Sequence, residues 1–365
     1  MLSTSKILRN RFFLLPLIAL TGVVLSWTQK PPSLVLAFLG GLLVAAVFTA
    51  VHHAEVIALK VGEPFGSLTL ALAVTVIEVG MIVVLIWGSP NPNVNLARDT
   101  VFAAIMITTN GIVGVALLVK TLRQRVAVFN SNGVSGALAA LVALSTLTLI
   151  LPSLTTSSPG PTFNVVQLIF VAVISLVIYL TFVAVQTIRH RDYFLPPPRE
   201  DDTIPEESHV EPSTTSQARI SFVFLIVSLV AVVGLAKVTS PLVQDFVDDR
   251  GLPQMLVAIS IALVVLLPES ISAIKSARYG RTQTSLNLAY GSALASIGLT
   301  IPVIALISLF SQYQFNLGLN STEIALLALT FIASILTVIP GRATLLQSVI
   351  HLSIFGAFIV FAAVP

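Results

Sequence analysis

Two glutamates stand where a carboxylate is expensive. Glu78 interrupts the apolar run ALAVTVIEVGMIVVLIW, and Glu269 follows the run VVLLP. Every other Asp and Glu falls between apolar runs or at their ends. An ionisable group at membrane depth costs about 2.5–3.5 kcal/mol even on a lenient insertion scale. No Lys or Arg shares either run at similar depth, so a structural ion pair is not expected. Each carboxyl must then hold a proton, bind a cation, or exchange one for the other. Low dielectric penalises a naked carboxylate, and either a proton or a cation relieves that penalty. If both groups serve one site, two protons or one divalent cation would neutralise it. The plainer alternative is a protonated Glu hydrogen-bonded to a neighbouring helix.

Neutral oxygens cluster near both residues in sequence. Thr75 precedes Glu78 by one helical turn, and the next apolar segment carries Thr108-Thr109-Asn110-Gly111. Around Glu269 stand Pro268, Ser270 and Ser272; the following segment carries Gly291-Ser292 and then Ser296, with the two serines at i, i+4 on one helical face. Hard cations take oxygen ligands. Thr75, Thr109, Asn110, Ser292 and Ser296 are therefore candidate ligands beside Glu78 and Glu269. Small polar residues also serve as packing contacts between membrane helices. Gly111, Gly114, Gly291 and Gly298 suit close helix approach, and Pro268 can free a backbone carbonyl.

These residues need membrane-spanning elements to position them. Of the 365 residues, 56% are hydrophobic and only 10% charged, with a mean hydropathy of +0.98. Soluble domains carry roughly 25% charged residues. Eleven runs approach the ~20 residues that span a bilayer: 12–27, 34–54, 66–87, 100–119, 134–151, 163–187, 220–239, 253–274, 284–310, 322–339 and 343–364. Their apolar stretches are continuous rather than alternating, which argues against a strand barrel. Basic residues set the orientation. With the N-terminus cytoplasmic, only Lys30, Arg98, Lys237 and Arg250 fall outside, the C-terminus is external, and the rest of the 19 Lys and Arg lie inside.

Residues 188–219 form the one long loop, with three prolines at 196–198 and acidic Glu200, Asp201, Asp202, Glu206, Glu207 and Glu211. Such composition reads as a flexible tether. It divides the expected all-α polytopic fold into an N-terminal helix (1–33), a five-helix repeat (34–187), the cytoplasmic acidic linker (188–219) and a second five-helix repeat (220–365). Five is odd, so the second repeat is inverted relative to the first, an arrangement common in secondary transporters. Glu78 and Glu269 then fall on matching second members of the two repeats, and Asn110 and Ser292 on matching third members.

Residues 61–69, VGEPFGSLT, followed by Glu78, and residues 267–303, LPESISAIKSARYGRTQTSLNLAYGSALASIGLTIPV, resemble the two repeats of the calcium/proton antiporter family of the calcium/cation exchanger superfamily. The bacterial ChaA-type branch is the nearer likeness, through His52-His53-Ala54-Glu55 and Arg98-Asp99-Thr100 as well. The resemblance implies that Glu78 and Glu269 are the cation and proton site, and that Ca²⁺, with Na⁺ and K⁺ as further cations, exchanges for H⁺. The family's Gly-Asn before each Glu is replaced here by Val74-Thr75 and Val265-Leu266. Asn110 matches a family Asn, and Gly291-Ser292 keeps a family Gly-Ser. Missing amide oxygens suit a less strictly Ca²⁺-selective cage. The branch also implies a bacterial plasma membrane.

Other residues read more plainly. His52 and His53 are expected to form an interfacial pair solvated by headgroups. His351 stands alone in the last span and reads as a packing hydrogen-bond donor. Trp27 and Trp87 suit interfacial anchors. Absence of cysteine excludes disulfides, thiolate catalysis and Cys-ligated metals. No H-E-x-x-H, P-loop or G-x-S-x-G motif is present, so no enzyme is expected. The basic residues are too dispersed for a nucleic-acid groove. Membrane lipid, inorganic cations and protons are the expected partners, with no cofactor beyond the transported ions. The residues alone leave two classes open: a proton- or cation-coupled transporter, and a passive cation channel using the same carboxylates.

Overall fold

The computed structural model describes residues 4–29, 31–62, 65–87, 93–196, 214–310 and 314–365, and the side chains of residues 4–11, Ser67 and Trp87 also lie outside what is described. The acidic cluster 200–211, Lys30, Glu63 and Pro64 fall outside these residues. Helices dominate because long apolar segments with no water to bond must satisfy their backbone internally. They are α1 (Thr4–Ser26), α2 (Ser33–Val61), α3 (Phe65–Trp87), α4 (Leu96–Met106), α5 (Val113–Gln124), α6 (Ser131–Ser145), α7 (Leu151–Leu154), α8 (Val165–Ala184), α9 (Thr215–Asp248), α10 (Met255–Arg278), α11 (Thr282–Phe310), α12 (Ser321–Val338) and α13 (Leu345–Ala363). Widened π-helical turns, Ile107–Ile112 and Thr146–Ile150, join α4 to α5 and α6 to α7. Among the described residues, ten helical stretches are long and apolar enough to cross a membrane, and Phe12–Ser26 is a shorter apolar helix. The chain is thus an all-α, multi-pass membrane protein, with one helical stretch for each of the eleven expected runs.

Boundaries moved at several ends. The eighth expected span, 253–274, continues to Arg278, so the midpoint of α10 falls between Leu266 and Leu267 and Glu269 lies close to it. Helix α9 starts earlier and runs through Pro241 to Asp248. The long loop is ordered at its beginning, where Arg191–Phe194 forms a 3-10 turn. Phe194 is buried, and its carbonyl accepts the Asn287 amide at 2.7 Å. Capping boxes start several helices: Asn164 with Gln167, Thr214 with Gln217, Asn320 with Glu323, and Thr344 with Gln347. The first three each satisfy two backbone donors at a helix entrance, while at the fourth the Thr344 N–H and hydroxyl both donate to the Gln347 side chain. One small departure from an all-helical chain is an antiparallel bridge between β1 (Ala127–Val128) and β2 (Arg342–Ala343), where two short loops pair backbone groups that no helix satisfies.

Packing divides the chain into two compact units. The first comprises residues 1–93 and 210–257; in it α2 packs on α9, α1 and α3, and α9 also packs on α1 and α3. The second comprises residues 94–209 and 258–365 and is organised around α11, which packs on α8, α6, α5, α4 and the wide turn 107–112. Helix α13 lies along α5 and that turn. Each unit draws on both sequence halves, a division distinct from the expected repeats.

Several glycines permit close packing in the second unit, among them two on α5 and α11. A Cβ on Gly298 would sit 2.7 Å from the Tyr179 Cβ, and one on Gly114 would sit 2.9 Å from the Leu352 side chain. Gly291 and Gly111 are not needed in this way: a Cβ at Gly291 meets nothing within 4 Å, and one at Gly111 makes ordinary contact with Phe355.

Candidate functional site

In the first unit, Glu78 is the only charged residue of α3 and lies near its midpoint. It is 3% exposed, and Thr75, one turn earlier, is also buried. The Thr75 hydroxyl donates to the Ala71 carbonyl at 2.9 Å. That bond uses its only proton and leaves the oxygen's lone pairs available as an acceptor or ligand.

The same unit corrects one expectation. His53 is 1% exposed rather than solvated by headgroups. Its Nε2 lies 3.0 Å from the Phe12 carbonyl and its Nδ1 3.3 Å from the Ser221 hydroxyl. Phe13 and Phe224 flank the ring, while His52 stacks on Phe12 at 3.8 Å. Helices α1 and α9 cover the pair because the imidazole finds partners on both. Trp27 does lie at an exposed helix end, with the Lys237 ammonium 4.0 Å from its ring centre.

The second unit holds the remaining candidates. Glu269 is half-buried on α10. Pro268 offers no N–H to the Val264 carbonyl one turn earlier, and the Ser270 hydroxyl donates to the Leu266 carbonyl at 2.6 Å. Ser296 is buried on α11, and Ser292, one turn earlier, is half-buried.

Thr109 and Asn110 lie on the wide turn between α4 and α5, and both are fully buried. A π-helical turn breaks the regular i to i−4 ladder and is frequent at functional positions. Thr108 and Thr109 donate their hydroxyls back to Ala104 and Ile105. Asn110 is occupied on both sides: its Nδ2 donates to the Thr330 hydroxyl at 2.9 Å, and its Oδ1 lies 3.1 Å from His351 Nδ1. Any ligation by that amide oxygen uses its second lone pair.

His351, Thr330 and Thr337 were not among the sequence candidates for the site. Thr330 and Thr337 lie a heptad apart on one face of α12, a spacing that could have drawn attention to them. The contact that unites them, between Asn110 and His351, spans 241 residues and leaves no local trace. Among the described residues, no group of three or more His, Asp or Glu side chains is arranged to hold a metal ion. Cation binding here would rely on few carboxylates supplemented by hydroxyl, amide and backbone oxygens.

The sodium/calcium exchanger protein family matches residues 32–188 and 220–364. The y4hA protein of Sinorhizobium fredii (strain NBRC 101917 / NGR234) is 43% identical over 325 residues, covering 89% of this chain and 87% of that protein. The sodium-potassium/proton antiporter ChaA of Escherichia coli (strain K12) is 31% identical over 325 residues, with the same coverage. Among solved structures, native YfkE aligns with a TM-score of 0.74 at 15% identity, covering 97% of this chain and 100% of that one. The H⁺/Ca²⁺ exchanger CAX aligns with a TM-score of 0.67 at 17% identity, covering 96% of this chain and 89% of that one. At these identities the two structural likenesses speak to the fold alone.

Proposed function

Because the chain belongs to the sodium/calcium exchanger protein family, we propose that it is a secondary active transporter exchanging cations for protons across a bacterial plasma membrane. Its cations are Ca²⁺, Na⁺ and K⁺; the ChaA relative is a sodium-potassium/proton antiporter, which supports the two monovalent ions, and the motif amides are absent beside both glutamates, which suits a less strictly Ca²⁺-selective cage. The observation that carries the reading is Glu78, 3% exposed near the middle of an otherwise uncharged membrane helix.

Glu78 and Glu269 alternately hold cation and proton. When the cation leaves, the carboxylates are uncompensated in a low-dielectric setting, and protonation makes the site neutral. The site therefore changes sides only when loaded with one species or the other, which is the condition for obligatory exchange. Thr75, Thr109, Asn110, Ser292 and Ser296 supply neutral oxygens. Residues 34–187 and 220–365 act as inverted five-helix repeats, and motion of the helices flanking the site gives alternating access, with the N-terminus cytoplasmic. No bound cofactor or covalent chemistry is required.

The test uses everted membrane vesicles with an internal acid load, a pH-sensitive dye and the membrane potential clamped. Adding Ca²⁺ or Na⁺ outside should dissipate the proton gradient, and isotope uptake should match it. Cation uptake without counter-movement of protons would overturn the antiporter and support a channel.

A further inference from the structure

The hydrogen-bond directions around His351 assign it a role beyond packing. Thr330 donates its hydroxyl hydrogen to the Leu326 carbonyl at 2.8 Å, so its oxygen receives the Asn110 Nδ2–H. That fixes the orientation of the Asn110 amide and turns Oδ1 towards His351 Nδ1 at 3.1 Å. A carbonyl oxygen needs a donor, so Nδ1 carries the ring proton. On the other side of the ring, Nε2 lies 3.1 Å from the Thr337 hydroxyl. That hydroxyl is also 2.8 Å from the Ala333 carbonyl, so one hydrogen serves two acceptors. The ring therefore presents its Nδ1 proton to Asn110 on the wide turn, whose Thr109 backbone also hydrogen-bonds the ring, while the Nε2 contact is shared.

All the side chains of this relay are within 4% of full burial, and Asn110, Thr330 and His351 are completely enclosed. A fully satisfied buried network specifies one arrangement, because each alternative leaves a polar atom unpaired. The arrangement it specifies is that of the wide turn Ile107–Ile112, which lacks the regular helical ladder and carries Thr108 and Thr109. Helix α13 packs directly on this turn.

We infer that His351 is a positioning residue: through its Nδ1 bond to Asn110 it holds the wide turn 107–112 in the geometry that presents the Thr109 and Asn110 oxygens to the transported cation. The inference rests on the proposed cation exchange, which makes those oxygens ligands.

Two near-isosteric substitutions separate this role from general packing. In His351→Asn the side-chain amide nitrogen falls near the position of Nδ1, whereas in His351→Gln it falls near Nε2. Each removes one polar contact, and Asn, a methylene shorter than Gln, leaves the larger void, so a packing role alone would make His351→Asn the more damaging change. The first is expected to keep the apparent KM for cation within about twofold of wild type. His351→Gln is expected to raise it about fivefold at similar maximal rate, the factor that one lost hydrogen bond supplies. Backbone hydrogen exchange of residues 107–112 should likewise accelerate about fivefold in His351→Gln and stay near wild type in His351→Asn. Equal behaviour of the two variants in both measurements would overturn the inference. A wild-type protein that exchanges no cation would instead overturn the functional reading, and the hydrogen-exchange comparison would still decide whether His351 holds the turn.

Discussion

At the scale of single residues, the same oxygen has to serve two unlike partners. A carboxylate in a membrane helix attracts a proton and a metal ion for one reason, the cost of leaving its charge uncompensated. Gln reproduces the shape of a protonated Glu and offers neither a negative charge nor an exchangeable acidic proton. Glu78→Gln and Glu269→Gln are each expected to abolish exchange while the protein still inserts and unfolds at a similar temperature. Transport measured in vesicles beside thermal unfolding in detergent checks this. Normal exchange by either variant would remove that residue from the site. The proposed hydroxyl ligands are expected to contribute less. Thr75 and Thr109 have already given their protons to their own helices, so each could offer a cation its oxygen alone.

At the scale of elements, the spans were legible and their interruptions were not. Long apolar runs bounded by charge announce membrane helices, and the structure has a helical stretch for every run. Glu78 and Glu269 stood out as candidates for the same reason, since a charge inside such a run is rare. The wide turn at 107–112 was not. Widening a helix by one residue changes hydrogen-bond register without changing composition, and Thr, Asn and Gly occur equally in straight membrane helices. His53 was misjudged because position near a helix end suggested solvent, whereas α1 and α9 fold over it. Glycines were legible as a class but not individually. Substituting Gly298 by Ala forces a methyl against Tyr179 on α8 and is expected to cost about 1–3 kcal/mol, lowering the unfolding temperature. Gly291→Ala, on the same helix with open space around it, is expected to be neutral or to stabilise by up to about 1 kcal/mol through helix propensity. Thermal unfolding of the two variants in one detergent checks the pair; equal losses would show that Gly298 is not a required crossing point.

At the scale of the whole molecule, the proposed exchange draws on ion gradients. One pH unit contributes about 1.4 kcal/mol per proton, and 100 mV contributes about 2.3 kcal/mol per net charge moved. Both can drive exchange only if cation and proton never occupy the two glutamates together, and this exclusion is the central claim. Its most direct test is proton release on cation binding, measured in weakly buffered detergent solution with the purified wild-type protein. Titrating Ca²⁺ or Na⁺ into the protonated protein should release protons as the site fills, and the Glu78→Gln/Glu269→Gln double variant should release none. Saturable cation binding with no protons released by the wild type, or undiminished release from the double variant, would contradict the account.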